Sequence, residues 1–335
     1  MTEKNSWSYV RNNNLNVTEW MSELPAQITC QKINTLAIPG THNSGTYSLN
    51  TLSSVSPDSP LYFLKKFLPA CFLSRITYPW CKTQSLSITA QLKLGIRYFD
   101  LRICNMIKNT KSKSLKLTEE FYIVHGQYAQ PLANELKRIN EFIKAHPNEV
   151  ILLDCNHIYC FQTDEQREKF EKLVLSIIGP IMLPRNQEIP SLDDIWDTDY
   201  RILCFSCHNP ILDKMHLNFW SIDKMKSFWA ETSNPKILIS FLNNHLGPSY
   251  HKDPLKFHVY QSVLTANSFF ILLHPFGSVR KTAKCVTPYA KRWINSPDHQ
   301  ANINGVNIVI IDFCSVFYPE YCEDIIKLNY KTWPN

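Results

Sequence analysis

Short apolar runs alternate with longer amphipathic segments along most of the chain. Each run of five to eight residues is rich in Ile, Leu, Val and aromatic side chains, which is typical of buried β-strands. The predicted strands are Ile33–Pro39, Ile96–Ile103, Phe121–His125, Val150–Cys155, Arg201–Ser206, Phe257–Leu264 and Asn307–Phe313.

Several segments between these runs have helical periodicity. Pro131–His146 carries apolar residues at a helical period, and Pro147 ends the pattern. The same pattern predicts helices at Asp164–Ile178, Ser233–Leu246 and Pro319–Leu328. Strands that alternate with helices indicate an α/β fold with a mainly parallel sheet.

Length and composition favour one large domain. The chain has 335 residues, of which 44% are apolar and 19% charged, so it can bury a sizeable core. We predict a single, irregular (β/α)8-type TIM barrel. An open dinucleotide-binding sheet fits less well, because no glycine-rich phosphate loop follows the first strand and the chain has only eight glycines.

The net charge of +6 fits an anionic surface or a phosphate-bearing ligand. The clusters Lys108–Lys116 and Arg280–Lys284 are interpreted as solvated loops or helix faces, and without a dense basic stripe we expect no nucleic-acid partner. The first residues carry no apolar signal segment, and no run of about 18 apolar residues occurs. We therefore expect a cytoplasmic protein that is not secreted.

The eleven cysteines are interpreted as reduced, mostly buried side chains. Cys204 and Cys207 have the spacing of a metal-binding pair, but no second Cys or His pair matches them and they lie on an apolar run. We predict no metal site there.

The segment 61–80 combines apolar and aromatic residues with Lys65, Lys66 and Arg75. This mixture suits an element that enters a lipid headgroup layer. The alternative interpretation is a helix that packs over the rim of the barrel.

Candidate chemistry is concentrated where apolar runs end. His42 follows the first run, Asp100 and Arg102 lie on the second, His125 ends the third and Asp312 lies near the end of the last. Asp100 and Arg102 alternate with apolar neighbours and therefore share a strand face. Because functional groups of a barrel lie at the carboxyl ends of its strands, we expect these side chains to form one site.

These motifs resemble the X domain of phosphatidylinositol-specific phospholipase C, and in particular the short proteins that consist of this domain. The motifs are Ile38–Ser44, Gln91–Arg102, His125-Gly126 and Glu149–Tyr159. The resemblance extends from about residue 24 to the end of the chain. It implies an N-terminal extension at 1–23 and an X-domain barrel at 24–335.

The resemblance implies a phosphoric diester hydrolase that degrades phosphoinositide lipids and acts in signalling. His42 matches the general base that takes the proton of the inositol 2-hydroxyl, and His125 matches the general acid that protonates the diacylglycerol oxygen. Asp312 matches the carboxylate that orients the base. Arg102 matches the arginine that pairs with the phosphate, and Asp100 is expected to act with it. Two histidines suit such roles because their ordinary pKa lies near neutrality.

The calcium-binding positions of the eukaryotic enzymes read Asn43, Asp100, Arg102 and Cys155 here. A guanidinium among the ligands repels a hard cation. We therefore expect a metal-independent mechanism in which Arg102 replaces Ca²⁺, with no cofactor.

Asn43 is a second departure, because the bacterial enzymes have an Asp there that partners the general acid. We predict that Asn43 contacts substrate together with Arg102. How the pKa of His125 is adjusted stays open; Asp100 or Asp154 could compensate for the missing charge. The role of His157 stays open as well, between packing and substrate contact.

Two alternatives remain. One is a glycerophosphodiester phosphodiesterase on the same barrel, which would depend on a carboxylate-bound metal and would be inactivated by a chelator. The other is a phosphoinositide-binding protein with little turnover, which Asn43 favours.

Overall fold

A computed structural model describes residues 15–50, 55–59, 61–107, 119–206, 218–247, 249–274 and 276–332. The strands are β1 (Ile38–Thr41), β2 (Tyr98–Ile107), β3 (Glu119–Val124), β4 (Tyr128–Pro131), β5 (Ile151–Tyr159), β6 (Ile202–Ser206), β7 (Phe219–Ser221), β8 (Met225–Phe228), β9 (Phe257–Gln261) and β10 (Ile308–Ile311). The α-helices are α1 (Ala26–Thr29), α2 (Ala70–Cys81), α3 (Ile88–Lys93), α4 (Leu132–Ala145), α5 (Asp164–Ile178), α6 (Leu192–Trp196), α7 (Pro235–Leu246), α8 (Ser268–Leu273), α9 (Val279–Ile294) and α10 (Tyr321–Thr332). Short 3₁₀ helices lie at Val17–Glu19, Ile33–Thr35, Tyr62–Lys66, Gly179–Ile181 and Ile222–Lys224.

Eight parallel strands form a barrel in the order β7-β6-β5-β2-β1-β10-β9-β8. Within the described ranges no strand pairing joins β7 to β8, and the two are linked by the single 3₁₀ turn at Ile222–Lys224 instead of a crossover helix. The predicted (β/α) barrel of irregular form is therefore confirmed, and this seam is its irregularity.

The predicted strands differ from the observed ones in three places. The run Ile33–Pro39 begins as a 3₁₀ helix and pairs only from Ile38 onward. The run Phe121–His125 forms β3, which pairs antiparallel with β2 and β4 and so lies outside the barrel wall. Strands β4, β7 and β8 were not predicted, because three or four residues are too few to show a period.

The predicted helices lie close to the observed ones, and α5 has the predicted bounds. Its first turn is fixed by a capping box, in which Thr163 and Gln166 each bond the other's backbone N–H. The cluster Arg280–Lys284 lies on α9, whereas Lys108–Lys116 lies outside the described residues. No described helix has both the length and the apolar character that crossing a bilayer requires.

The apolar faces of strands and helices meet in one large core. Cys204 is fully buried in it on β6, whereas Cys207 lies outside the described residues. Part of the 1–23 segment joins the same core: Trp20 is fully buried and donates from its indole Nε1 to the carbonyl of Gly95 at 2.9 Å.

A buried ion pair closes the amino end of the barrel. Arg97 precedes β2 and donates through Nε to Glu149 at 2.8 Å, and neither side chain is appreciably exposed. Backbone carbonyls of Thr18, Leu92 and Ile96 accept from its other nitrogens. Arg97 therefore has a structural role.

We predict that Arg97→Met lowers the free energy of unfolding by about 3–5 kcal/mol, because it leaves the Glu149 carboxylate buried without its partner. Urea unfolding measures the change. Lys291→Met removes the exposed pair with Glu320 and serves as the control, with no measurable effect expected. Equal effects of the two substitutions would contradict this account of Arg97.

Candidate active site

The strand register places His42 beside Asp312. Thr41 at the end of β1 pairs with Ile311 at the end of β10, so the next residues of both strands leave the barrel together. The backbone N–H of His42 donates to the carbonyl of Ile311 at 3.2 Å, and His42 Nδ1 lies 2.8 Å from Asp312 Oδ1. Since a carboxylate only accepts, Nδ1 carries the proton and Nε2 of a neutral ring is left with its lone pair.

The side chain of Asn43 contacts that second nitrogen. Its Nδ2 lies 2.8 Å from His42 Nε2, and its backbone N–H donates to Asp100 Oδ2 at 3.0 Å. The φ angle of Asn43 is +42°, a region that Asn tolerates better than most residues. Asn43 and Asp100 are both buried, and they hold His42 in place from behind.

His125 faces His42 across the site, with the ring centroids 5.8 Å apart and the planes nearly perpendicular. Its Nδ1 donates to the carbonyl of Cys81 at 2.8 Å, so its partner is a backbone oxygen and not Asp100 or Asp154. Burial lowers the pKa of His125 well below its ordinary value, and the positive charges of Arg102 and His42 lower it further.

Gly126 and Asp58 fix the loop that carries His125. The φ angle of Gly126 is +67°, and a Cβ atom there would collide with the Cys81 sulfur. The N–H of Gly126 donates to Asp58 Oδ2 at 2.9 Å, and Ser56 donates to the other carboxylate oxygen at 2.5 Å. Asp58 also lines the cavity, and no sequence motif pointed to it.

Arg102 enters the site through an irregularity of β2 and β5. Asp100 pairs with Asp154, but Arg102 pairs with His157, so β5 contains one extra residue between these pairs. Arg102, His157 and Tyr159 all line the cavity, and the Nε of Arg102 is buried without a partner among the described residues. An unpaired guanidinium N–H is suited to an anionic ligand.

Two carboxyl groups lie side by side behind Arg102. Burial and the neighbouring Asp100 raise the pKa of Asp154 to about 7, while the hydroxyl of Tyr98 donates to it at 2.5 Å. Burial, followed by Arg102, lowers the pKa of His157. A carboxyl group with a raised pKa and a histidine with a lowered pKa thus lie near the guanidinium. Such shifted pKa values are frequent at functional sites.

The cavity has a volume of about 520 Å³ and two kinds of wall. His42, His125, Arg102 and Asp312 line it at the strand ends. Another part of the lining, the apolar wall, includes Leu61, Trp80, Ile271 and Val279. A ligand with one anionic, hydroxylated part and one apolar part fits this division.

The residues at the calcium-binding positions do not suit that ion. Asp100 is engaged by the backbone of Asn43, the Asn43 amide contacts His42, Arg102 brings a positive charge, and Cys155 is a buried thiol. Among the described residues no group of three or more His, Cys, Asp or Glu side chains is arranged to hold a metal ion.

Known proteins match the chain along nearly its whole length. The family model PI-PLC X 1 matches residues 77–241. PI-PLC X domain-containing protein 3 of Mus musculus is 32% identical over 95% of both chains, and PI-PLC X domain-containing protein 1 of Homo sapiens is 28% identical over 99% of this chain and 98% of its own.

Solved bacterial structures match the fold. The phosphatidylinositol-specific phospholipase C from Listeria monocytogenes superposes with a TM-score of 0.63 at 19% identity, covering 94% of this chain and 99% of that chain. A pentafluoro-Phe form (H258X) of the enzyme from Staphylococcus aureus gives a TM-score of 0.65 at 17% identity, with coverage of 94% and 98%. At such low identity these matches show the barrel fold alone.

We predict that Arg102→Met raises the pKa of His125 but leaves it below 6.5, because burial is the larger cause and persists in the variant. Long-range ¹H–¹⁵N NMR of the imidazole nitrogens during a pH titration measures it. Arg292→Met, on the exposed surface, is the control and should leave the titration unchanged. An unaltered His125 titration in Arg102→Met would show that the guanidinium does not act on this ring.

Proposed function

Because the chain belongs to the family of PI-PLC X domain-containing proteins, we propose that it is a phosphoric diester hydrolase of the phospholipase C type. It cleaves the glycerol–phosphate bond of phosphoinositides by His/His general acid–base catalysis without a metal ion. The observation that carries the proposal is that His42, held by Asp312, faces His125 beside an unpaired nitrogen of Arg102.

In this mechanism Nε2 of His42 takes the proton of the inositol 2-hydroxyl, whose oxygen attacks the phosphorus. Asp312 keeps the proton on Nδ1 and stabilises the imidazolium that forms, as a triad carboxylate does. The Asn43 amide must release Nε2 when the hydroxyl arrives, and it can then bond the substrate. The bond to the leaving oxygen breaks and a five-membered cyclic phosphate results.

His125 donates the proton that the diacylglycerol oxygen needs in order to leave. The Cys81 carbonyl holds Nδ1–H, so delivery is from Nε2. Burial lowers the pKa of His125, which makes its imidazolium a stronger acid than that of an ordinary histidine, and the negative phosphate favours protonation once the lipid is bound. Water then opens the cyclic phosphate with the two histidines in exchanged roles.

Arg102 supplies the positive charge that a metal ion would otherwise bring to the phosphate. Its buried Nε has no partner in the described part of the chain and can donate to a non-bridging phosphate oxygen. The carboxyl of Asp154, with a pKa of about 7, and its neighbour Asp100 limit the excess of positive charge behind it. A glycerophosphodiesterase that needs a carboxylate-bound metal is disfavoured by the same residues.

We propose further that a lipid-facing surface brings the cavity to a membrane. This surface consists of exposed apolar side chains on the 3₁₀ helix Tyr62–Lys66, on α2, on α8 and beside them: Tyr62, Phe63, Phe67, Phe72, Phe269, Leu272, Leu273 and Phe276. Lys65, Lys66 and Arg75 are exposed among them and would meet anionic headgroups. Such contact fits a cytoplasmic protein that binds membranes peripherally.

The lipid-facing surface is continuous with the cavity. A second hydrophobic cluster joins Leu61, Trp80, Ile271 and Val279, and all four also line the apolar wall. Trp80 and Phe270 contact edge to face at 5.9 Å, which links α2 to α8. A diacylglycerol chain leaving the bilayer would therefore meet apolar side chains as it enters the cavity.

One observation favours a second function, a phosphoinositide-binding protein with little turnover. The Asn43 amide lies on the nitrogen that must act as base, and an amide cannot supply the charge of the Asp found in the bacterial enzymes. Such a protein would bind phosphatidylinositol vesicles equally well with and without His42.

We predict that the protein releases water-soluble inositol phosphate from phosphatidylinositol vesicles in EDTA. His42→Ala and His125→Ala should each lower turnover by about 10²–10⁴-fold, since each removes one proton transfer. His251→Ala, an exposed histidine outside the site, is the control and should retain full turnover. Turnover that requires Ca²⁺ would contradict the role of Arg102, and vesicle binding without any turnover would favour the binding protein.

We predict that the double substitution of Phe67 and Phe276 by Ser lowers affinity for phosphatidylinositol-containing vesicles by at least about tenfold, because a buried phenylalanine contributes about 1.5–3 kcal/mol. Vesicle sedimentation measures the affinity. Turnover of a short-chain, monomeric phosphatidylinositol should not change. Leu255→Ser removes an equally apolar exposed side chain at the other end of the barrel and is the control. Equal loss in both variants would exclude a specific surface.

A further inference from the structure

Two cysteines meet at the top of β2 and β5, close to the site but outside its chemistry. Cys104 lies two residues after Arg102 and therefore on the same face of β2. It pairs in the sheet with Tyr159, the last residue of β5, and Cys160 follows directly. Neighbouring parallel strands thus bring the two cysteines together although they are far apart in sequence.

The local backbone turns the two thiols toward each other. Cys160 has a φ angle of +62°, which bends the chain away from the strand direction, and its thiol lies near enough to Cys104 to raise the pKa of that buried thiol. The Tyr128 hydroxyl lies 3.8 Å from Cys104 Sγ and covers the pair from β4. Within the described residues both cysteines are free, Cys104 buried and Cys160 exposed.

The two thiols differ in their access to solvent. Burial, followed by the neighbouring Cys160, raises the pKa of Cys104 to about 12, so its thiolate is scarce. An oxidant in solution therefore reaches Cys160 first. This is the arrangement of an accessible thiol next to a resolving one.

We propose that Cys104 and Cys160 form a reversible disulfide under peroxide and that this bond switches the site off. The Cys160 thiolate attacks the peroxide, which yields a sulfenic acid and one water or alcohol after protonation. Cys104 then attacks the sulfenic sulfur, the S–S bond forms and water leaves. In total two thiols lose two electrons and two protons, and the peroxide is reduced.

The bond affects the site through Tyr159. Tyr159 pairs with Cys104 in the sheet and directly precedes Cys160 in the chain. It also lines the cavity and hydrogen-bonds Arg102. A disulfide requires a sulfur separation near 2 Å and a narrow range of dihedral angles, so the ends of β2 and β5 must shift. The loss of activity rests on the proposed function, whereas formation of the bond does not.

The reduced full-length protein is treated with increasing hydrogen peroxide, then alkylated, digested and analysed by mass spectrometry, with turnover measured in parallel. We expect a peptide pair linked through Cys104 and Cys160, a loss of turnover of at least about fivefold in proportion to the linked fraction, and recovery with dithiothreitol. Cys160→Ser should keep its turnover in peroxide. Cys285→Ser removes another exposed cysteine and should behave as the parent.

Each contrary result has a separate meaning. Oxidation of Cys160 to sulfinic acid without a linked peptide would overturn the disulfide. A linked peptide with unchanged turnover would overturn the switch. Absence of turnover in the reduced parent would contradict the proposed function, and the linked peptide would still decide whether the cysteine pair exists as a redox site.

Discussion

The parallel pairing of β1 between β10 and β2 is the constraint on which the rest of the site depends. Parallel strands end at the same edge of a sheet, so residues that follow them meet whatever their distance in sequence. His42 and Asp312 become neighbours in this way, and Arg102 joins them from β2. A shift of one residue in either pairing would turn these side chains to the other face.

Two arginines, one just before β2 and one in the middle of that strand, have different roles in this barrel. At the amino end, Arg97 is buried with a carboxylate and three backbone carbonyls, so its donors are satisfied. Where β2 passes the cavity, Arg102 keeps a buried N–H that has no partner among the described residues, and it adds to the effect of burial in lowering the pKa of His125. A buried donor without a partner costs stability in the free protein.

Features of the fold that depend on local sequence patterns could be predicted from the sequence. The helix Asp164–Ile178 was predicted to the residue because period and cap agree there, and four motif residues at strand ends were brought together as expected. The pairing direction of Phe121–His125 could not be predicted, since an antiparallel hairpin and a parallel strand share the same apolar run. Asp58 and the Cys81 carbonyl belong to no motif, because they reach the site through contacts that only the folded chain defines. Tyr159 ends the fourth motif, but the bulge in β5 that precedes it has no signal in the sequence.

We propose that an internal hydroxyl attacks the phosphate with the help of two histidines and no metal ion. This step can be followed by ³¹P NMR of phosphatidylinositol cleavage in EDTA, from the first turnovers onward. Cyclic inositol phosphate should appear first, and acyclic inositol phosphate should form later at its expense. Acyclic product from the start, or cleavage only after Ca²⁺ is added, would contradict this mechanism.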